Sequence, residues 1–182
     1  MKKATMPNRK RSSVSPKSET LYRMPGHLIR RCHQISVALF LQECAPFGIS
    51  PQQYAVLRVL ADNDGVDQIT LAGLAAFNRT TAGEILERME LAGLLERRDN
   101  PLDRRVKNIF ITAGGLELLR TAQNAVARVQ QRLLEPLEPA ERLKFIELLS
   151  RIADENNELS RAPLRQASRA KRPRAAPQDA AP

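Results

Sequence analysis

From about residue 21 to residue 159, apolar residues recur mostly at steps of three and four, the spacing of helices with one inward face. In LYRMPGHLIRRCHQISVALFLQEC, Leu28, Cys32, Ile35 and Leu39 step by four, three and four, which predicts one long helix with an apolar face. Pro25 suits its first turn, and Pro46 with Gly48 ends it. In ISPQQYAVLRVLADN, Ser50 is a natural N-cap, Pro51 a natural first helical residue, and Tyr54, Leu57 and Leu60 follow at helical spacing. ITLAGLAAFNRTTAGEILERMELAGLLERR predicts two short helices. The first opens at Ile69, Thr70 and Leu71 and ends near Ala76. The second runs from Asn78, its cap, to Glu90, with Ile85, Leu86 and Met89 inward and Gly93 as the stop. A short helix, a tight turn and a second helix with a polar start is helix–turn–helix grammar.

The pattern then changes to that of strands. Leu94 to Arg98 reads as one strand, NPLD supplies turn residues, and Val106 to Ile111 is a β-branched and aromatic return strand. A two-stranded wing behind the second helix is predicted. Thr112 can cap the next helix, with Leu116 and Leu119 inward. Gly115 stands at its third position, so there is no Glu to complete a capping box. That helix extends to about Glu135, and Pro136 and Pro139 punctuate. A last helix carries Leu143, Ile146, Leu149 and Ile152. The expected fold is mainly α: a winged helix–turn–helix over about residues 50–114, with flanking dimerisation helices over about 21–46 and 113–159. The flanking stripes exceed what a small winged module can cover, so pairing with a second copy, a two-fold homodimer, is expected.

Charge changes the picture less than its total suggests. The chain carries +9. Residues 1–20 hold six basic residues against Glu19, and residues 161–182 hold six against Asp179, so the part between them sums to −1. Both tails are polar or Ala/Pro/Arg-rich without apolar periodicity and are expected to be disordered, leaving one domain over residues 21–160. They either solubilise the chain or attract phosphate non-specifically. There is no apolar stretch of bilayer length and no signal-peptide pattern, so a cytoplasmic protein that meets no membrane is expected. Cys32 and Cys44 are then reduced thiols. On one helix they stand roughly 18 Å apart, too far for a disulfide.

Chemistry concentrates at two places. The second helix of the pair begins with Arg79, Thr80 and Thr81, small or hydroxylated groups beside a positive helix end, and shows Glu84 and Arg88 on its exposed side. That suits a helix entering a major groove; the bland alternative is a solvated face of mixed charge. Residues 97–107 hold Arg97, Arg98, Arg104, Arg105 and Lys107 against Asp99 and Asp103. An arginine at a loop tip can enter a narrow minor groove, and Asp103 is placed to orient one of them. No H-E-x-x-H, G-x-S-x-G, Gly-rich phosphate loop or Cys-x-x-Cys pair is present, and the two histidines leave little for acid–base catalysis. Neither an enzyme nor a cofactor or metal is expected.

SPQQYAVLRVL, LAGLAAFNRTTAGEILERMELAGLLERR and NPLDRRVKNIFITAGG together resemble the winged helix of the MarR family of bacterial transcriptional regulators. The Asp-Arg-Arg tip followed by an apolar strand and Thr-Ala-Gly-Gly is the most specific element, and the likeness covers about residues 21–159. It implies a homodimer on double-stranded DNA with a pseudo-palindromic site. It implies that Arg105 reaches the minor groove and that Asp103 braces it; Glu84 departs from the family's pattern. It also implies release by a small aromatic acid bound between the dimer helices and the winged module. On the first helix His27, Arg30, Arg31 and His33, beside Leu28, Val37 and Phe40, would suit such a ligand, with His27 and Arg31 meeting its carboxylate or hydroxyl. Two rival sensors use the same helix. A thiol switch would use Cys32, although Ser36 stands where peroxide-sensing relatives carry their cysteine, and Cys32 on the apolar face reads as inert filling. Metal sensing through His27, Cys32 and His33 is opposed by geometry, since adjacent Cys32 and His33 project about 100° apart. A non-DNA dimerisation protein is the remaining class.

Overall fold

A computed structural model describes residues 20–103, 105–160 and 163–164. The two tails, apart from these residues, and Arg104 lie outside the described residues. Helix α1 (Pro25–Cys44) leads through a 3-10 turn (Ala45–Phe47) into α2 (Pro51–Asp62). Strand β1 (Val66–Asp67), α3 (Gln68–Leu74) and α4 (Arg79–Leu91) follow, then β2 (Leu95–Asp99) and β3 (Lys107–Ile111). Helices α5 (Ala113–Leu134) and α6 (Pro139–Glu155) close the described fold.

Each helix of the winged part starts where the sequence offers a cap. Ser50 accepts from the Gln53 amide at 3.2 Å while Gln53 accepts from the Ser50 amide at 2.9 Å, a reciprocal box that fixes the entry to α2. Asp67 caps α3, accepting from the amides of Ile69 and Thr70 at 2.8 and 3.0 Å. Asn78 caps α4 through the Thr81 amide at 2.9 Å. Thr112 caps α5 through the Gly115 amide at 3.1 Å. Inside this frame Leu57, Leu60, Leu71, Leu86, Met89, Leu95 and Ile109 are essentially sealed from solvent. Burial of each such side chain contributes on the order of 1.5–3 kcal/mol.

The wing has three strands, not two. β1 pairs antiparallel with β3 through Val66↔Ile109 and Asp67↔Asn108, and β3 pairs with β2 from Leu95↔Ile111 to Asp99↔Lys107. A two-residue strand leaves no alternation to read, which is why the sequence pattern does not show it. Gly115 also has a stronger reason than an incomplete capping box. A Cβ there would lie 2.2 Å from the Leu94 carbonyl oxygen and 2.9 Å from the Ile111 side chain, so only glycine lets α5 start against the strand. Leu116, expected inward, is exposed, and Gly115 and Leu119 take the inward positions.

The flanking helices differ most from expectation. On α1 only Leu39 of the predicted stripe packs on the core, alongside buried Phe40 and Cys44; Leu28, Cys32 and Ile35 are exposed. Leu143, Ile146, Leu149 and Ile152 of α6 are exposed as well. The periodicity is present, but its counterpart is not supplied by this one chain. α1 packs on α5, and Glu43 fastens the two by accepting from Arg128 Nε and Arg132 Nη1, each at 2.7 Å. The Arg128 and then the Arg132 hydrogen bonds hold the Glu43 carboxyl below the ordinary glutamate range. Among the described residues, no helix is long and apolar enough to cross a membrane.

Candidate nucleic-acid interface

The turn between α3 and α4 sets the exposed face of α4. Phe77 N–H donates to Ala72 O at 2.8 Å and Ala76 N–H to Gly73 O at 3.2 Å, with Ala76 at φ +57°. This is a Schellman closure of α3, and it carries the chain into the Asn78 cap. On α4, Ala82, Ile85, Leu86 and Met89 are buried. Arg79, Thr80, Glu84 and Arg88 are therefore exposed, with Thr81 half-buried. Arg88 Nε donates to the Glu84 carbonyl at 3.2 Å. A cleft of about 290 Å³ beside Arg88 is lined by Ser50, Gln52, Gln53, Thr81 and Ile85.

The five cations expected to act together in the hairpin divide. Arg97 Nη1 lies 3.4 Å from Glu90 of α4, Arg98 pairs with Glu96 and lies 4.6 Å over the Phe110 ring, and Lys107 pairs with Asp99 across the strands. These three knit the wing to itself and to α4. Arg105 differs: its side chain is 96% exposed at the tip. Asp103 Oδ1 accepts from the Arg105 backbone amide at 3.0 Å, with the guanidinium Nε farther off at 3.9 Å. Asp103 thus fixes the turn that presents Arg105 more than it holds the guanidinium. Asn100 adds to the same turn, accepting from Leu102 N–H at 2.8 Å and donating to Asn108 at 3.2 Å.

The first-helix residues also separate. His27 packs edge-on to Tyr22 at 5.4 Å between centroids, with Arg31 about 6.0 Å over the same ring. Its Nε2 is buried without a hydrogen-bond partner. His33 instead lines an apolar groove of about 520 Å³ with Leu28, Cys32, Leu133, Phe145 and Leu149. Arg30 is exposed. Tyr22 was not anticipated, since it precedes Pro25 and belongs to no periodic stripe. Cys32 is exposed in the groove and is not core filling; the buried thiol is Cys44, whose pKa is pushed up by burial and then by the Glu43 charge. Among the described residues no group of three or more His, Cys, Asp or Glu side chains could hold a metal ion.

Three packed helices, an exposed fourth-helix face and an arginine-tipped wing define a winged helix–turn–helix, a DNA-reading class of module. The model of the MarR family matches residues 47–106. The transcriptional regulator HosA of Escherichia coli O111:H- is 31% identical over 126 residues, 69% of this chain and 92% of HosA. Among solved structures, Bordetella bronchiseptica BpsR, whose DNA binding is regulated by 6-hydroxynicotinic acid, is 28% identical with a TM-score of 0.70, covering 72% of this chain and 94% of BpsR. The repressor CouR bound to a 23-mer DNA duplex is 30% identical with a TM-score of 0.71, covering 77% and 99%. The chain belongs to the MarR family and is a DNA-binding transcriptional regulator.

Proposed function

We propose that the protein is a homodimeric repressor that occupies a pseudo-palindromic operator and leaves it when a small aromatic acid binds. The observation that carries the DNA half is the hairpin tip: three neighbouring cations are engaged on the strands and α4, while Arg105, fully presented to solvent and only loosely paired with Asp103 at 3.9 Å, is the described hairpin cation most open to a groove. In this reading α4 lies in the major groove through Arg79, Thr80, Thr81, Glu84 and Arg88. Arg105, with Arg104, meets the minor groove or its phosphates, and Asp103 shapes the tip. The exposed apolar faces of α1 and α6 support pairing of two chains. Two recognition helices on one duplex face must match half-sites about 34–36 Å apart, so a small rigid-body change suffices to weaken binding.

His27 and Arg31 support the effector half. An unpartnered buried ring nitrogen beside an arginine and a tyrosine ring offers a polar group, a cation and an aromatic wall to an aromatic carboxylate. Arg30 and His33 flank this place on the same helix, His33 on the groove side. That 6-hydroxynicotinic acid regulates BpsR supports the ligand class, benzoate-, cinnamate- or nicotinate-like.

The test is fluorescence anisotropy on a duplex from immediately upstream of the protein's own coding region, against a scrambled duplex. The wild type is expected to prefer the upstream duplex by ~10³-fold or more. Arg105→Ala is expected to lose much of that preference. Equal, weak binding of both duplexes by both proteins would overturn the reading. Aromatic acids are then screened for release, and unchanged effector affinity in His27→Ala and Arg31→Ala by calorimetry would remove the site from α1.

A further inference from the structure

We propose that the cleft between the start of α2 and the flank of α4 holds a backbone phosphate of the DNA duplex, with Arg88 supplying the charge. This makes Arg88 a positioning contact and not a base reader, and it rests on α4 docking in the major groove. The cleft is lined by Ser50, Gln52, Gln53, Thr81, Ile85 and Arg88, and no carboxylate lines it. The hydrogen bonds already made decide what remains. The Ser50 and Gln53 amides are engaged in the capping box, and Pro51 has no N–H, so of the first-turn main-chain donors of α2 the Gln52 amide remains. The same box occupies the side-chain Oε1 of Gln53 and a lone pair of the Ser50 hydroxyl. That leaves donors: the Ser50 and Thr81 hydroxyls and the side-chain amides of Gln52 and Gln53. Arg88 uses Nε on the Glu84 carbonyl, which leaves its outer guanidinium nitrogens as donors for a ligand. One cation, several neutral donors and an apolar floor at Ile85 match a singly charged phosphodiester.

The position of the cleft points to DNA as the source of that phosphate. A helix in a major groove has a sugar–phosphate wall on each flank, and contacts to those walls fix register without reading sequence. The cleft is the α2-side flank of α4. Thr80 and Glu84 stand on the exposed face beside it.

The experiment is a salt series of anisotropy titrations on the upstream and scrambled duplexes, with Arg88→Ala, Arg88→Lys, Gln52→Ala and Arg105→Ala compared with wild type. Circular dichroism melts confirm that the exposed substitutions leave the fold intact. Arg88→Ala is expected to weaken both duplexes alike, by roughly tenfold or more. It should also lower the log–log salt slope by about one for each bound chain. Arg88→Lys keeps the point charge and should restore the slope with part of the affinity. Gln52→Ala should produce a smaller uniform loss with the slope unchanged. Inorganic phosphate at constant ionic strength should not displace DNA. If Arg88→Ala erases only the preference for the upstream duplex and leaves the slope intact, Arg88 reads a base and the proposal fails. If Arg88→Ala changes nothing while Arg105→Ala weakens binding, the cleft faces away from DNA and this proposal alone falls. If neither changes anything, the docking itself is wrong. Displacement by inorganic phosphate that Arg88→Ala abolishes would mean a free-anion site and would also overturn it.

Discussion

Leu57, Leu60, Leu71, Leu86 and Ile109 of the winged module expose 1% of their surface or less, while Leu28, Ile35, Ile146, Leu149 and Ile152 of the flanking helices expose 41–53%. The two sets are chemically alike, and apart from Ile109 on β3 both lie on the apolar faces of helices. What separates them is whether the chain itself supplies the opposing surface. The winged module closes on itself through three helices and a sheet, whereas α1 and α6 present stripes that complete only against something else. Periodicity therefore marks the face that wants burial without saying which partner covers it. In the function proposed above, DNA reading belongs to the self-sufficient region, and the effector site and pairing belong to the other.

The largest effect that would sharpen this contrast is at Gly115. In Gly115→Ala the new methyl meets the Leu94 carbonyl oxygen at 2.2 Å, a backbone atom that cannot rotate away, with Leu57 at 3.1 Å behind it. We expect a loss of about 3 kcal/mol or more in urea unfolding. Equal stability of this variant and wild type would mean that the winged module is less closely packed than its burial implies.

The second expectation is at the groove. Leu149→Asp places a charge beside Leu28, Cys32 and Phe145, on a face already half open, so one chain should fold much as before. Under the homodimer reading, wild type sediments as a dimer whose melting temperature rises with protein concentration, and Leu149→Asp is monomeric with no such dependence. Dimers of undiminished strength in the variant would place the pairing surface elsewhere.

Much of the winged module was legible because its signals are local. Ser50, Asn78, Gly93 and Thr112 each stand where a cap or stop must be, and Ile85, Leu86 and Met89 mark one face. What was not legible depends on residues far apart in sequence. β1 exists only because Val66 lies beside Ile109. Gly115 reads in sequence only as a missing capping partner, because its constraint, the Leu94 carbonyl oxygen, comes from another element. The hairpin's net charge could be counted, but not its division: Glu90 and Glu96, which engage two of its arginines, lie outside the counted run. The pairing of Tyr22 with His27 joins a residue before Pro25 to one after it, which no helical period reveals.

A smaller effect concerns the bolt between two of the flanking helices. Glu43 bridges α1 to α5 through Arg128 and Arg132, and both bonds stabilise its ionised form. A carboxyl whose folded pKa is depressed contributes stability above its ordinary range, and that contribution is lost as pH falls through the lowered folded value. In thermal melts, wild type should exceed Glu43→Gln near neutrality, and the gap should close as pH drops below the usual glutamate range. A gap independent of pH would show that packing, and not charge, fastens α1.

The smallest effect tests how complete the winged module is on its own. α3 and α4 end in the same Schellman closure. After α4, Gly93 N–H donates to Glu90 O at 2.9 Å and Leu94 N–H to Met89 O at 3.0 Å, with Gly93 at φ +69°. After α3 the same bonds form, but Ala76 occupies the left-handed position at φ +57°. A non-glycine residue there costs about 1–2 kcal/mol, and glycine gives back roughly 0.5–1 kcal/mol through its freer unfolded chain. Ala76→Gly should therefore stabilise the fold by about 0.5 kcal/mol, read as a small rise in the urea midpoint at unchanged slope. Ala76 is exposed, so no lost packing offsets the gain. The turn also sets the angle between α3 and α4. If stability rises while DNA affinity falls, the left-handed alanine serves to stiffen the recognition helix. If stability falls instead, the turn is relaxed with alanine, and the winged module holds no strain at the entry to α4.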